Sequence, residues 1–364
     1  MEKAWQRRLK ENYQSVQSLK YDFAFSESEL EELKRIEEKY PVSIPKYYID
    51  LIDKSDRRDP IRKMCMPDLM EFSPGGAKDT SGEAENTVVQ GMQHKYKETV
   101  LILSTNQCAM YCRHCFRKRL VGLSSEEIAE KLPEMAGYVA MHPEITNVLI
   151  SGGDAFLNSN EMIGKYLDVF TRIDHISFIR FGTRIPVSFP YRITEDDGEL
   201  IGILSKYVDK KHIMIVTQFN HPKEITNESR KAIRMLSSAG CSIRNQTVLL
   251  KGVNDSPETL SMLMNNLVGI GVMPYYLFQC RPVEGVKNQF QVPFSRALDV
   301  VEEAKGRMSG PSKAFRYALS HPSGKIEVVA KVDDKVMFKY HQAKSEKDRG
   351  RVFFRPLDEN ECWF

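Results

Sequence analysis

Six short apolar stretches alternate with helix-like stretches through the middle of this chain of 364 residues. The apolar stretches are rich in β-branched side chains, which is typical of buried strands. The strand-like stretches span residues 99–105, 146–150, 176–182, 212–217, 243–250 and 273–280, and the helix-like stretches span residues 124–141, 158–173, 194–208, 225–239 and 256–270. Strands separated by helices pair in parallel through right-handed crossovers. The sequence therefore predicts an α/β fold with a partial (β/α)6 barrel of the TIM type, because six units are too few for a complete barrel of eight.

The remaining parts of the chain predict two flanking segments. Residues 1–95 are expected to form a helical N-terminal region, with the polar, turn-rich stretch 72–82 linking it to the barrel. The barrel itself is assigned to residues 96–290. Residues 291–364 are expected to form a short C-terminal extension that contains one or two strands.

Two helices of the barrel carry explicit start signals. Ser124 is followed three residues later by Glu127, the spacing of a capping box. Ser256 directly precedes Pro257, which favours the first turn of a helix. These signals predict helices that begin at residues 124 and 256.

Composition excludes several classes of protein. The 52 Lys and Arg residues nearly balance the 49 Asp and Glu residues, and the net charge of +3 gives no sign of a nucleic-acid surface. No apolar run approaches the ~18 residues of a membrane span, and no signal-peptide core follows the charged start of the chain. Seven cysteines, an odd number, fit a reducing compartment rather than a disulfide framework. The expectation is a cytoplasmic enzyme with neither nucleic-acid nor membrane partners.

Three cysteines lie in one short loop directly after the first predicted strand. Cys108, Cys112 and Cys115 have the spacing Cys-x3-Cys-x2-Cys. Cluster irons take thiolate ligands, and a loop with only three of them leaves one iron of a [4Fe-4S] cluster open to an outside ligand. A zinc site that uses the same cysteines together with His114 is the alternative, because thiolate and imidazole also suit zinc. Zinc motifs more often consist of separated cysteine pairs, so the spacing favours the cluster.

A second motif follows the next predicted strand, where Ser151, Gly152, Gly153 and Asp154 are consecutive. Glycines at the end of a strand let the backbone approach a ligand closely, and their amides can contact its polar end. A tight turn between a strand and a helix is the alternative explanation.

Together these motifs resemble the radical SAM superfamily, in which the cluster reduces S-adenosylmethionine (SAM) to release a 5′-deoxyadenosyl radical and a glycine-rich element holds the methionyl amino group. Within that superfamily the chain is similar to the lysine 2,3-aminomutase family. The motifs that carry the similarity stand in the family's order at residues 59–63, 112–119, 151–154, 182–187, 192–194, 219–222, 245–255 and 274–280.

The resemblance implies three cofactors, a [4Fe-4S] cluster, SAM and pyridoxal 5′-phosphate (PLP), and a reaction that moves the α-amino group of an amino acid to its β-carbon. It also implies an external electron donor such as flavodoxin or ferredoxin. Lys325 follows a small-residue turn where the family's PLP lysine follows a longer glycine run, so Lys325 is the expected Schiff-base residue. A surface lysine ahead of a strand is the alternative.

Other site residues are carried over position by position. Arg117 matches the arginine that clamps the substrate α-carboxylate, a task that suits a bidentate guanidinium; an ion pair with an acid near the cluster loop is the alternative. Lys95 and Arg192 match basic positions associated with the PLP phosphate. The resemblance places two further residues near the cofactors, His114 and Gln246.

Three positions depart from the family pattern and suggest a reshaped pocket. Thr99 stands where a second phosphate arginine is expected, Gln218 replaces a histidine and Phe278 replaces a tyrosine.

The largest departure concerns the substrate. Lysine mutases hold the far ammonium of the substrate with two aspartates; Arg281 occupies one of these positions, and the other falls within residues 319–321, which contain no carboxylate. An arginine disfavours a substrate ammonium and favours a carboxylate. The prediction is an acidic or neutral amino acid substrate, with an Arg281–Glu284 ion pair as the alternative.

Two other functions stay open at this stage. One is a relative of the enzyme that isomerises lysine for elongation factor P modification, although the missing aspartates speak against it. The other is a radical SAM enzyme that has lost PLP. Cys362 stands alone in place of the family's C-terminal zinc element, so no structural zinc is expected, and a homo-oligomer is one open assembly state.

Overall fold

A single twelve-stranded sheet organises the computed structural model, which describes residues 2–364. The strands follow one another across the sheet in chain order. They are β1 (Thr87–Val89), β2 (Met92–Tyr96), β3 (Thr99–Leu103), β4 (Asn147–Ser151), β5 (Phe178–Gly182), β6 (His212–Thr217), β7 (Ser242–Leu249), β8 (Met273–Gln279), β9 (Arg316–His321), β10 (Gly324–Val332), β11 (Lys335–Ala343) and β12 (Val352–Pro356).

Strands β3 to β9 pair in parallel, and the strands at both ends of the sheet pair antiparallel. The sheet therefore contains the six predicted parallel strands and adds a seventh, β9. Because the strand order ends at β1 and β12 without joining them, the barrel is open, which confirms the predicted partial barrel.

Helices cover the outer face of the parallel strands and the N-terminal part of the chain. They are α1 (Ala4–Lys10), α2 (Val16–Leu19), α3 (Glu27–Lys39), α4 (Lys46–Ile49), α5 (Pro60–Cys65), α6 (Glu83–Asn86), α7 (Leu132–Met141), α8 (Asn160–Thr171), α9 (Ile185–Ser188), α10 (Tyr191–Thr194), α11 (Glu199–Val208), α12 (Asn227–Ser238), α13 (Pro257–Gly269), α14 (Lys287–Phe290) and α15 (Phe294–Gly306). None of the helices in residues 2–364 has the length and apolar character needed to cross a membrane.

The two predicted helix starts have different outcomes. Helix α13 begins as predicted, because the Ser256 hydroxyl accepts a hydrogen bond from the Thr259 amide at 3.2 Å. The start predicted at Ser124 is wrong, since α7 begins only at Leu132. The Glu127 carboxylate is taken up by the guanidinium of Arg119, with one contact of 2.9 Å, and so does not close a capping box.

Two hydrophobic clusters hold the molecule together. The larger one fills the space between the sheet and its covering helices. The smaller one packs the N-terminal helices against the loops that follow β3, β7 and β8, with Met110 of the cysteine loop among its members. The N-terminal region thus covers the carboxyl ends of the parallel strands, where barrel enzymes place their chemistry. The sheet runs through both predicted segment boundaries, and the division of the chain into three segments stays a prediction.

Candidate active site

One cavity of about 870 Å³ lies inside the curved sheet. Side chains from β2 to β11 line it, together with the cysteine loop. The lining includes Cys108, Cys112, Cys115, His114, Arg117, Ser151, Gly152, Gly153, Asp154, Lys95, Gln246, Arg281 and Lys325. With the exception of Arg192, every site residue predicted from the sequence therefore contacts the same cavity.

The cysteine loop is held by the N-terminal region. The Tyr111 amide donates to the Ser43 carbonyl and the Arg113 amide to the Met64 carbonyl, both at 2.9 Å. Arg113 is almost fully buried and forms an ion pair with the buried carboxylate of Glu71. These contacts fix the loop before any metal is bound, because buried charge pairs and backbone hydrogen bonds leave little freedom.

The three thiols lie close enough to influence one another's ionisation. Burial raises the pKa of Cys108 well above its ordinary value and that of Cys115 to about 11, and the neighbouring thiols add to both shifts. Bound metal reverses this tendency, because a metal-coordinating thiol is deprotonated. Within residues 2–364, no three His, Cys, Asp or Glu side chains are arranged to hold a single metal ion. Thiolates that bind separate irons of a cluster do not need to converge on one point.

Arg184 adds a contact to the cluster loop that the sequence did not reveal. Its Nη1 donates to the sulfur of Cys112 at 2.9 Å, and its Nε donates to the carbonyl of Gln218 at 3.0 Å. The guanidinium is anchored by an ion pair with the fully buried Glu224. Hydrogen bonds to ligand sulfurs are among the factors that set the potential of an iron–sulfur cluster.

The glycine motif packs directly against the cysteine loop. A Cβ atom at Gly152 would lie 2.3 Å from the Thr105 carbonyl oxygen, and one at Gly153 would lie 2.3 Å from that of Gln107. The amides of Gly153 and Asp154 donate to these two carbonyls, at 2.6 and 2.8 Å. The expectation that the glycine amides contact a ligand is therefore corrected for Gly153, whose amide is used by the chain itself. If this strand end contacts the ammonium of SAM, backbone carbonyl oxygens rather than amides would accept its hydrogen bonds.

The Asp154 side chain is turned into the protein. Its carboxylate accepts from the Thr183 hydroxyl at 2.5 Å and from the amides of Arg184 and Phe156 at 2.6 and 3.1 Å. Burial raises its pKa, while these hydrogen bonds oppose the shift. Asp154 thus connects the ends of β4 and β5 and carries the arginine that contacts Cys112.

His114 presents one ring nitrogen to two amides. The side-chain nitrogens of Gln218 and Asn220 each lie 3.1 Å from its Nε2. Burial and nearby cations lower its pKa, so the ring is neutral. With amide donors at Nε2, the proton lies on Nδ1, which has no hydrogen-bond partner among residues 2–364. The His114 side chain lines the cavity, while Nδ1 itself is buried.

Lys325 lies near the start of β10, and its side chain lines the cavity. Its amine makes no hydrogen bond among the described residues and lies 4.9 Å from the ring centre of Tyr276 and 5.6 Å from that of Tyr96. Burial lowers its pKa to about 7, and the positive charges of Arg180, Lys95 and Arg281 add to the shift. The alternative of a surface lysine does not describe this environment.

Lys95 has a comparable pKa but a different environment. Burial lowers its pKa to about 7 as well. Its amine donates to the carbonyls of His321 at 2.7 Å and Ser81 at 3.3 Å. The Lys95 amine is therefore already held by the chain.

Arg117 forms the ion pair that its alternative interpretation proposed. Its Nε donates to Glu83 at 2.8 Å, and its Nη1 lies 3.3 Å from both the Ser151 hydroxyl and the Gly152 carbonyl. Glu83 also binds Arg119 at 2.7 Å and is buried. Arg117 is thus oriented by Glu83 at the cavity wall, and its second terminal nitrogen makes no hydrogen bond within residues 2–364, which leaves it available for a carboxylate.

Arg281 faces the cavity without a carboxylate partner among residues 2–364. One terminal nitrogen donates to the Ser320 hydroxyl at 2.7 Å and the other donates to the Ser81 hydroxyl. Its guanidinium lies 4.4 Å from the ring centre of Phe116. Glu284, the alternative partner, pairs instead with Lys39 at 2.6 Å.

The structure does not bring Arg192 to the cavity, which corrects its predicted contact with the PLP phosphate. Arg192 is completely buried, where it pairs with Asp196 at 3.2 Å and donates to the Phe156 carbonyl at 2.9 Å. Its guanidinium also lies over the ring of Trp5 at 4.5 Å. These contacts tie α10 to the N-terminus, a structural role.

The comparisons with known proteins agree with this geometry. Residues 102–263 match the family model of the radical SAM superfamily. A solved radical SAM methyltransferase from Sphaerobacter thermophilus shares 15% identity over 62% of this chain and 68% of that chain, with a TM-score of 0.40, a likeness too slight to bear on function. The protein is a radical SAM enzyme.

Relatives with aminomutase names match over most of this chain. The L-lysine 2,3-aminomutases of Fusobacterium nucleatum and Clostridium subterminale are 38% and 36% identical to it, over 84% of this chain and 71% and 73% of theirs. The glutamate 2,3-aminomutase of Clostridioides difficile is 33% identical over 88% of this chain and 74% of its own. The chain belongs to the lysine 2,3-aminomutase family, whose members are isomerases. Membership implies a [4Fe-4S] cluster, SAM and PLP as cofactors.

Proposed function

We propose that this protein is a PLP-dependent 2,3-aminomutase that acts on an amino acid other than lysine and moves its α-amino group to the β-carbon. The observation that carries this proposal is the unpaired amine of Lys325, which faces the same cavity as the three cysteines. A family member without PLP would have no use for a half-buried, unpartnered lysine there, because desolvating an unpaired cation is costly.

The residues fit the three cofactors in separate parts of the cavity. Cys108, Cys112 and Cys115 would hold the cluster, and the strand end at Ser151–Gly153 would contact SAM, with His114 nearby. Lys325 would bind PLP, which when bound spreads unpaired electron density over its ring. Lys95 and Gln246 would contact cofactors from β2 and β7.

The chain's own residues then orient the substrate and exclude water. Arg117, fixed by Glu83, would clamp the α-carboxylate. The rings of Tyr96 and Tyr276 lie near the Lys325 amine, and burial together with nearby cations lowers its pKa to about 7, so a large share of the amine is neutral at physiological pH. A neutral amine is the form that can attack an aldehyde.

The choice of substrate rests on Arg281. Its two terminal nitrogens are held by Ser320 and Ser81, so the guanidinium is oriented without being neutralised. An oriented arginine binds a carboxylate through two parallel hydrogen bonds and repels an ammonium. The glutamate 2,3-aminomutase among the relatives is consistent with an acidic substrate. Glutamate is the substrate we favour.

The proposal extends to partners and location. An external reductant such as flavodoxin or ferredoxin would supply the electron, and the substrate would be a free amino acid rather than a protein. The cytoplasmic location and the assembly state stay predictions.

The test is to identify the lysine that binds PLP. Protein incubated with PLP and reduced with borohydride is digested, and the labelled peptide is identified by mass spectrometry. Lys325→Ala is expected to lose the label, whereas Lys95→Ala is expected to keep it, because of these two amines only that of Lys325 makes no hydrogen bond within residues 2–364. A label on Lys95 in the wild type would refute the assignment, and the absence of any label would favour a radical SAM enzyme without PLP.

A further inference from the structure

Arg180 is a buried cation that faces the cavity without a counter-ion. It lies on β5, is 8% exposed and lines the cavity. Its Nη2 donates to the Asn147 side-chain oxygen at 2.5 Å, but its Nε has no hydrogen-bond partner among residues 2–364. Burial lowers the pKa of Arg180, and the phenols of Tyr275 and Tyr276 oppose this shift. No carboxylate among residues 2–364 contributes to it.

This arrangement suits an anionic ligand. A buried guanidinium that lacks a negative partner destabilises the protein, because its desolvation is not offset. An anion in the cavity would offset that cost and would bind through a charge-assisted hydrogen bond from the remaining terminal nitrogen, since Nε itself is buried.

The position of Arg180 relative to Lys325 indicates which anion. Among the neighbouring cations, Arg180 lowers the pKa of the Lys325 amine most strongly, ahead of Lys95 and Arg281. Arg180 and the Lys325 amine also line the same cavity, so Arg180 can contact a molecule that is bonded to this amine. The ring of PLP carries its phosphate arm on the carbon next to the one that bears the aldehyde, so the phosphate must lie near that lysine.

Asn147 fixes the orientation of Arg180. Its side-chain nitrogen donates to the Glu98 carbonyl at 2.8 Å, which turns the side-chain oxygen toward Arg180. The same oxygen accepts a hydrogen bond from the Thr99 hydroxyl at 3.2 Å. At position 99 the family resemblance leads one to expect an arginine that binds the phosphate. Thr99 is connected to Arg180 instead, because both donate to the side-chain oxygen of Asn147.

We propose that Arg180, oriented by Asn147, binds the phosphate of PLP in place of the basic residue that is missing at position 99. This inference rests on the proposed function, since it requires PLP at Lys325. It assigns Thr99 and Asn147 to positioning Arg180, and it leaves Arg117 and Arg281 for the carboxylates of the substrate.

The test compares PLP with pyridoxal, which has the same aldehyde and lacks the phosphate. Dissociation constants of both are measured by absorbance on the cluster-loaded protein for the wild type, Arg180→Met and Arg244→Met. Arg244 is a matched control, because it lines the same cavity but is not among the charges that act on Lys325. Methionine replaces an unpaired buried charge by an apolar side chain, a change that is commonly tolerated or stabilising.

In Arg180→Met, PLP is expected to bind about tenfold to a hundredfold more weakly, the loss of one charge-assisted contact, while pyridoxal binding stays near the wild-type value. Arg244→Met is expected to keep the wild-type ratio of the two constants. An unchanged ratio in Arg180→Met, or an equal loss in Arg244→Met, would overturn the inference. Should Arg180→Met fail to fold, Asn147→Ser is measured in the same way, and its dissociation constant for PLP is expected to rise relative to that for pyridoxal.

The proposed function and this inference fail in different ways. If the wild type binds neither PLP nor pyridoxal at Lys325, the proposed function is refuted, and the inference with it. If both bind with equal affinity in the wild type, PLP chemistry survives and only the phosphate site is refuted. If Arg180→Met weakens amino acid binding but keeps the PLP preference, Arg180 binds a substrate carboxylate and the inference is wrong.

Discussion

The ionisation of a single amine sets the pH dependence of cofactor binding. An ordinary lysine has a pKa near 10.5, and burial together with three neighbouring cations lowers that of Lys325 to about 7. Below pH 7 the amine is protonated and cannot attack an aldehyde, so the rate of PLP capture is expected to rise about tenfold per pH unit up to that point and then level off. Stopped-flow absorbance measures this rate. A rate that continues to rise between pH 8 and pH 10 would show that the amine has its ordinary pKa.

Arg281 decides between acidic and basic substrates. Arg281→Gln removes the charge but keeps a polar side chain, and it is expected to reduce kcat/KM for glutamate about tenfold to a hundredfold through the lost charge-assisted contact. In the wild type, lysine is expected to be at least about a hundredfold poorer than glutamate, from roughly 3 kcal/mol of like-charge repulsion. Competition assays with both amino acids give the ratio directly. Lysine as the better wild-type substrate would rule out this role for Arg281.

Site residues could be placed at the cavity from the sequence where the neighbouring strands and turns are recognisable in it. The cysteines, Lys325 and Arg281 follow strands or turns whose position the apolar pattern gives, so their shared cavity follows from the barrel. Arg192 was misassigned because its partners, Asp196 and Trp5, come from a helix end and the N-terminus, which no local pattern connects.

Several functional residues carried no signal in the sequence. Glu83, which orients Arg117, is contributed by a four-residue helix of the N-terminal region. Arg184 and Arg180 acquire their roles only through residues far away in the chain, Cys112 in the cysteine loop and Asn147 on β4. Contacts between residues far apart in the chain depend on the closed packing of the whole fold, and a single sequence does not contain them explicitly.

At the scale of secondary structure, the end of β4 and the cysteine loop act as one unit. A Cβ atom at Gly153 would lie 2.3 Å from the carbonyl oxygen of Gln107, so Gly153→Ala must displace the loop that carries the cysteines. This variant is expected to bind less iron. Its free energy of unfolding, measured by denaturant titration, is expected to fall by a few kcal/mol. Gly164→Ala is the matched control, because Gly164 lies in α8 with nothing within 4 Å of its added Cβ. The control is expected to gain up to about 1 kcal/mol from helix propensity. Full iron content in Gly153→Ala would contradict the close approach of the two segments.

The strands were easier to predict than the helix starts and the ends of the sheet. Every predicted strand overlaps an observed parallel strand, because fully buried strands require continuous apolar runs. Helix α7 begins eight residues later than predicted, at Leu132 instead of Ser124, because the Glu127 side chain binds Arg119 instead of its own backbone. The antiparallel strands β10 to β12 alternate between more buried and more exposed residues and give a weaker signal.

At the scale of the whole molecule, one cavity collects positive charge. It is lined by Lys95, Arg117, Arg180, Arg184, Arg244, Arg281 and Lys325, against the acids Glu83, Glu98 and Asp154. Of these acids, Glu83 is paired with arginines, and Asp154 accepts hydrogen bonds from the chain. The cavity as a whole therefore attracts anions, which fits the phosphate of PLP and the carboxylates of SAM and an acidic amino acid.

The most direct test of the central claim is to look for the isomerised product. Anaerobically reconstituted protein receives SAM, PLP, a reductant and a panel of amino acids, and mass spectrometry with β-amino acid standards identifies the product. The predicted result is β-glutamate, formed by the wild type and absent from both Cys112→Ala and Lys325→Ala. A wild type that cleaves SAM yet forms no β-amino acid from any member of the panel would contradict the claim that this cavity is the site of a 2,3-aminomutase.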